Sequence, residues 1–400
     1  MPERIVNRRA GVDVAITGGG VVGAACALAL SEAGLSVALV EGRTPPHWQA
    51  ARPDLRVYAF AADNAVLLER LGVWPQIRAA RAQPYRRMRV WDAGGGGELA
   101  FDADAFGREQ LGWIVENDLL VDRLWAALPG AGVQLHCPAR LEALEQDERG
   151  VRLRLDDGSR IDAALAIAAD GAESTLRTLA GMQVSRQDYH QRGLVAFVRT
   201  ARPHEDTAWQ RFLVTGPLAF LPFTEDRSSI VWTLPETEAA RLLEADEAAF
   251  ERELTHAFAG RLGAVTLASP RAAFPLRRQL IGKYVSGRVL ALGDAAHVVH
   301  PLAGQGVNLG LRDVAALQAM VLGARQRRAD WAAPHRLRRW ARVRRSENTV
   351  AAYSFDAINQ VFSNDEMHLT LARGLALGTA GRLPPLVDLL WRRAAGIGPR

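Results

Sequence analysis

The chain has 400 residues, 48% hydrophobic and 23% charged, with a formal net charge of +5. That composition belongs to a globular protein with a sizeable core, long enough for two domains or one large α/β unit with an insertion. Two cysteines without a Cys/His cluster argue against a disulfide framework or a metal centre, and no apolar run of about 18 residues is present to span a bilayer.

The first 20 residues are basic but hold no apolar segment ahead of the glycines, so a cytoplasmic protein without a secretory signal is expected. Residues 12–17, VDVAIT, read as a buried strand. Gly18, Gly20 and Gly23 follow as G-x-G-x-x-G, residues 24–33 are small and apolar at helical spacing, and residues 35–40 form a second strand ending at Glu41. A lone G-x-G-x-x-G is weak evidence. Here a strand precedes it, a helix follows, and an acid stands 18 residues beyond the last glycine, which makes a dinucleotide site. The glycines permit a tight turn and bring a pyrophosphate to the helix N-terminus, and Glu41 accepts hydrogen bonds from the adenosine ribose. This motif alone does not separate FAD from NAD.

Residues 54–74, DLRVYAFAADNAVLLERLGVW, hold Arg56 ahead of a helix, and residues 111–128, LGWIVENDLLVDRLWAAL, hold Asn117. Residues 73–111 and 186–275 alternate apolar and polar residues in short runs such as "RGLVAFVRT" and "SSIVWTL". They predict an antiparallel sheet, with "AGGGGE" at 93–98 as a hairpin turn. Trp209, Phe212, Phe220, Phe223 and Trp232 lie in these strands and either line an apolar pocket or, as strand aromatics more often do, build the core.

Two further segments repeat the pattern of a strand ending in an acid–glycine pair. Residues 161–181 run into Asp170–Gly171, followed by Ser174 and Arg177; residues 286–313 run into Gly293–Asp294. After the second come His297, His300, Pro301, Gly304, Gln305, Gly306, Val307 and Asn308, and then a helical spacing through residue 320. A glycine-rich turn feeding a helix offers unpaired N–H groups and a positive dipole end to an electron-rich ligand. Residues 321–400 read as arginine-rich helices. The stretch 325–345, rich in arginine and tryptophan, is either a solvated face or a contact for anionic lipid or a partner protein; no nucleic-acid module accompanies the charge.

Taken in order, the three glycine segments resemble the three fingerprints of the class A flavoprotein monooxygenases, the family related to p-hydroxybenzoate hydroxylase, over residues 12–320. "HPLAGQGVNLGLRD" narrows the resemblance to the ubiquinone-biosynthesis hydroxylases, the UbiH, UbiF and UbiI (VisC) group, and residues 54–74 and 85–118 lean toward UbiI. The resemblance implies a discontinuous Rossmann-like FAD-binding domain (1–72, 112–185 and 276–320), an inserted antiparallel-sheet substrate domain (73–111 and 186–275) and a C-terminal helical region (321–400). It implies that Asp294 bonds the ribityl chain of FAD, that Arg56 and Asn117 lie beside the cofactor, and that Asp170–Gly171 lies near the pyrophosphate with Arg177 positioning it. The turn from Pro301 to Asn308 then meets the pyrimidine end of the flavin, where reduction accumulates negative charge. The activity implied is hydroxylation of a polyprenylated phenol with O2 and NADPH or NADH, through a flavin C4a-hydroperoxide, at an anionic membrane surface or in a biosynthetic complex. His297 and His300 are the candidate proton-transfer residues, although no acid–base pair dedicated to the substrate is evident. Another flavin-dependent monooxygenase, halogenase or reductase, or a non-catalytic FAD-binding subunit, are the alternatives.

Overall fold

The computed structural model describes residues 11–94, 97–299 and 305–362. Its first layer follows from apolar runs that need cover on both faces, the signature of parallel strands. Val12–Thr17 is the centre, flanked in parallel by Val37–Val40 and Arg160–Ala168. Gln134–His136 extends the parallel row on one side and Val289–Ala291 on the other. The antiparallel strands Leu141–Gln146, Val151–Leu155 and Val285–Ser286 complete an eight-stranded sheet.

Helix Val21–Glu32 is apolar all round because it lies between this sheet and two further helices, Asn117–Ala127 and Gln305–Gln326. Its small residues set the spacing. A Cβ on Gly310 of the facing helix would lie 2.6 Å from Val22 Cγ2, so the two helices approach where only glycine fits.

The second layer is a nine-stranded sheet ordered around Val184–Thr200, which pairs with Arg227–Pro235 on one side and Ala272–Ile281 on the other. Side chains alternate across it. Leu194, Phe220, Ile230 and Trp232 face helices Glu236–Glu244 and Glu247–Ala257, meeting Leu242, Phe250 and Leu254. Phe197, Leu221 and Phe223 face the other way, toward Ala59 and Ile114. The strand aromatics therefore build core: Phe212, Phe220, Phe223 and Trp232 are buried, and half-buried Trp209 lies under the guanidinium groups of Arg89 and Arg261 at 5.6 and 5.3 Å. Arg87–Asp92 and Glu98–Asp102 pair as a hairpin across the glycine run, but Arg87–Asp92 joins the sheet parallel to Thr207–Leu213. The sheet is thus mixed, because the chain leaves after the hairpin and returns to this edge only after crossing the first layer.

A small sheet of Val57–Ala61, Gln83–Tyr85 and Gly112–Glu116 lies between the layers. Two strands tie the layers covalently. Val184–Thr200 and Ala272–Ile281 run unbroken through residues 185 and 276, where the sequence suggested boundaries. His297–Val298, just beyond Gly293–Asp294, pairs with Ala272–Ile281 in the second sheet.

Candidate functional site

Register brings the three glycine segments together. Thr17 pairs with Val40 and with Ala168, and Ala168 pairs with Ala291. Four adjacent parallel strands therefore end side by side and deliver Glu41, Gly18–Gly23, Asp170–Gly171 and Gly293–Asp294 to one edge. Open parallel sheets bind ligands at this carboxyl edge.

The glycines of the first turn serve different ends. Gly18 has φ +98, and a Cβ on it would collide with the Ala169 carbonyl; a Cβ on Gly23 would collide with the Gly18 carbonyl oxygen. Both are required by the fold. Gly20 has an ordinary φ of −66, and a Cβ there would meet nothing within 4 Å. Its small size is demanded by nothing among the described residues and fits a ligand that approaches the helix N-terminus closely. Glu41 lies over the turn, accepting from Gly19 N at 2.6 Å and Arg43 N at 3.0 Å, with lone pairs left for hydroxyl donors.

Asp294 is half-buried and accepts no hydrogen bond among the described residues, an acceptor suited to a chain of hydroxyls. Asp170 differs. Its carboxylate caps helix Thr175–Leu179 through Thr175 N at 2.8 Å and Leu176 N at 3.2 Å, and also accepts from the Ser174 hydroxyl. What remains to face a cofactor is the Gly171 turn, at φ +81. Arg177 is buried and donates to the Ala295 carbonyl at 3.1 Å, so its guanidinium holds the Asp294 turn rather than the Asp170 carboxylate.

Arg56 and Asn117 are neighbours because Val57 pairs with Glu116, and Asn117 N donates to Arg56 O at 2.9 Å. The Arg56 guanidinium stacks 5.5 Å from the Tyr58 ring, the Tyr58 hydroxyl bonds Asn117 Oδ1 at 3.1 Å, and the field of Asp294 reaches both Arg56 and Tyr58. Sequence reasoning missed the supports of this loop. Asp54 accepts from Arg56 N and Asp118 N, and buried Glu116 accepts from Asp54 N, Trp48 Nε1 and Arg81 Nη1. Burial first, and Asp118 beside it, raise Asp54 to about 6. Glu116 immediately precedes Asn117, yet an acid before a helix carries no signal that it is buried.

His300, Pro301 and Gly304 lie outside the described residues. Gln305 opens helix Gln305–Gln326; Gly306 beside it has no atom of the described residues within 4 Å of a would-be Cβ, and Val307 is buried. The Asn308 side chain is committed to the protein, accepting from Ala61 N and Asn64 Nδ2 and donating to Ala59 O. It pins the helix start to the small sheet, which leaves only backbone to face a ligand. His297 is fully buried with Nε2 2.7 Å from Asp313 Oδ2, and its Nδ1 has no hydrogen-bond partner among the described residues. That geometry supports packing beside the Asp294 turn better than proton transfer.

This arrangement at the carboxyl edge of a parallel sheet has the shape and donors a dinucleotide needs, and residues 11–346 match the FAD binding domain family, to which the chain belongs. Within it the chain groups with the ubiquinone-biosynthesis hydroxylases: it is 38% identical to ubiquinone hydroxylase UbiL of Rhodospirillum rubrum over 97% of this chain and 91% of that protein. It is 37% identical to 3-demethoxyubiquinol 3-hydroxylase of Escherichia coli, over 96% of this chain and 98% of that protein. Among solved structures, p-nitrophenol 4-monooxygenase PnpA of Pseudomonas putida superposes with a TM-score of 0.76 at 18% identity, over 97% of this chain and 98% of that one, a likeness of fold.

Proposed function

We propose that this FAD-dependent hydroxylase acts on the aromatic ring of a polyprenylated phenol in ubiquinone biosynthesis, with NADPH or NADH and O2 as co-substrates. The observation that carries the reading is the convergence of four strand ends on one edge, with Gly20 kept small for no reason among the described residues. The relatives bearing ubiquinone-hydroxylase names, matched along nearly their whole lengths, supply the substrate class.

FAD, when bound, would supply the redox chemistry: acceptance of hydride and activation of O2. The chain holds and orients it. The Gly18–Gly23 turn and the N-terminus of Val21–Glu32 take the pyrophosphate, Glu41 the ribose, and Asp294 the ribityl hydroxyls. Arg56, Tyr58 and Asn117 flank the cofactor, and helix Gln305–Gln326 directs its N-terminal dipole at the ring, where charge develops on reduction. Phe197, Leu221 and Phe223 pack with Ala59 and Ile114 and keep water out of the seam between the second sheet and the small one.

Such a substrate partitions into lipid, and among the described residues no helix is long and apolar enough to cross a membrane. Docking on the cytosolic face of the membrane, or on a biosynthetic complex, falls to helix Pro334–Phe362. It turns Arg338, Arg339, Arg342 and Arg345 outward, while Leu337, Trp340 and Ala341 pack into the core. The outward face of this helix is therefore cationic, with Trp340 turned into the core.

The test is NAD(P)H-dependent flavin reduction with O2 uptake and a hydroxylated product from a prenylphenol. Peroxide release without hydroxylation of any prenylphenol overturns the substrate assignment. In a deletion strain the accumulating quinone precursor names the ring carbon.

A further inference from the structure

We propose that Asp313, Arg344 and Asn348 are positioning residues for the Gly293–Asp294 turn, so that the C-terminal helix is a working part of the flavin site. This rests on the reading of Asp294 as a cofactor ligand.

The geometry is a single buried carboxylate shared between two parts of the chain. Asp313 Oδ2 accepts from Gly293 N at 3.1 Å and from His297 Nε2 at 2.7 Å, on the side of the cofactor turn. Asp313 Oδ1 accepts from Arg344 Nε at 2.7 Å and from Asn348 Nδ2 at 3.0 Å, both on helix Pro334–Phe362. Four donors fill the lone pairs of one carboxylate. Arg344 Nη2 also donates to Asn348 Oδ1 at 3.0 Å, and Arg344 Nη1 pairs with Glu347. Tyr284 closes the group, with its hydroxyl 3.4 Å from Asn348 Nδ2 and its ring stacked 6.2 Å from that of His297. All members but Glu347 are buried.

Each part explains another. Burial by itself would raise the Asp313 carboxyl, yet His297, Arg344 and Asn348 hold it down at about 2. An ionised Asp313 requires a donor at His297 Nε2, which fixes that ring's role as a support. Gly293 adopts φ +58, and its N–H is held by Asp313; the next residue is Asp294. Removing Arg344 leaves a buried carboxylate with its cation gone. The carboxylate must then turn or take up a proton, and in either case the bond to Gly293 N weakens and the Asp294 turn loosens. Arg338, Arg339, Arg342 and Arg345 of this helix lack such a role, because they face outward.

The test compares Arg344→Met, Arg344→Lys and Asn348→Ala with the surface control Arg342→Met and the ligand reference Asp294→Ala. FAD dissociation constants are measured on apoprotein, and melting is followed with and without FAD. Arg344→Met is expected to weaken FAD on the order of 10- to 100-fold, the loss typical when an outer-shell partner of a bound metal is removed. Arg344→Lys should recover part of that, and Arg342→Met should leave affinity unchanged. The melting increment produced by FAD should shrink in Arg344→Met, whereas a merely structural role lowers apoprotein and holoprotein equally. Folded Arg344→Met with wild-type FAD affinity, beside an Asp294→Ala that binds weakly, overturns the proposal alone. Unchanged affinity in Asp294→Ala removes the ligand reading and the proposal with it. If Arg344→Met does not fold, wild-type affinity in both Arg344→Lys and Asn348→Ala is the overturning result.

Discussion

Replacing Gly20 with alanine separates what the fold needs from what the cofactor needs. At φ −66 and ψ −178 an L-residue is unstrained, and the new Cβ meets no heavy atom within 4 Å. Restricting the unfolded chain at such a site stabilises by about 0.4–1 kcal/mol. Alanine is a poorer N-cap than glycine by a similar amount, so for a chain this long the melting temperature of the apoprotein should stay within about 1 °C of wild type. FAD binding should weaken, because the methyl group occupies the place where the pyrophosphate approaches the helix. Overpacking of this kind costs about 1–3 kcal/mol, which is roughly a 5- to 150-fold weaker dissociation constant. Titration of FAD into apoprotein by fluorescence, with thermal melts of the same samples, measures both. Gly23→Ala is the contrast: its Cβ would collide with the Gly18 carbonyl oxygen, so the apoprotein itself should lose stability. Wild-type FAD affinity in Gly20→Ala, or a fall of several degrees in its apoprotein melting temperature, would refute the placement of the pyrophosphate.

Because Asp54 holds its proton up to about pH 6 in the fold, against an ordinary 3.8, its stabilising effect is full below about pH 4 and is lost as the pH rises to about 6. Asp54→Asn keeps the neutral form, so its melting temperature relative to wild type should climb between pH 4 and pH 6 and then level off. A difference that does not vary with pH would rule out the titration. Reversing the charge of Arg338, Arg339 and Arg342, all exposed, should weaken binding to anionic liposomes or to co-purifying partners while FAD content stays at the wild-type level. If neither association changes, substrate is delivered at another surface.

The amino-acid sequence by itself determined the strand, turn and acid pattern of the candidate site. Its signals are local: an apolar strand, a glycine turn and an acid at a set distance are read within about 30 residues. The strand ends carrying Gly18, Gly20, Gly23 and Glu41, the pair at 170–171 and the pair at 293–294 were legible this way, as was the helix that begins at Gln305. The supports of the site were not. Glu116 beneath the Arg56 loop, Asn308 turned to Ala59 and Ala61, and Asp313 joined to Arg344 and Asn348 are ordinary polar residues in the text. Their roles depend on burial and on partners up to 249 positions away, and no periodicity encodes that. The arginine-rich stretch shows the same limit within one helix. Arg342 and Arg344 are two residues apart, but the helical turn sends one to solvent and the other into the core. Only the packed fold, which decides which face of each element is covered, separates a surface charge from a buried ion pair.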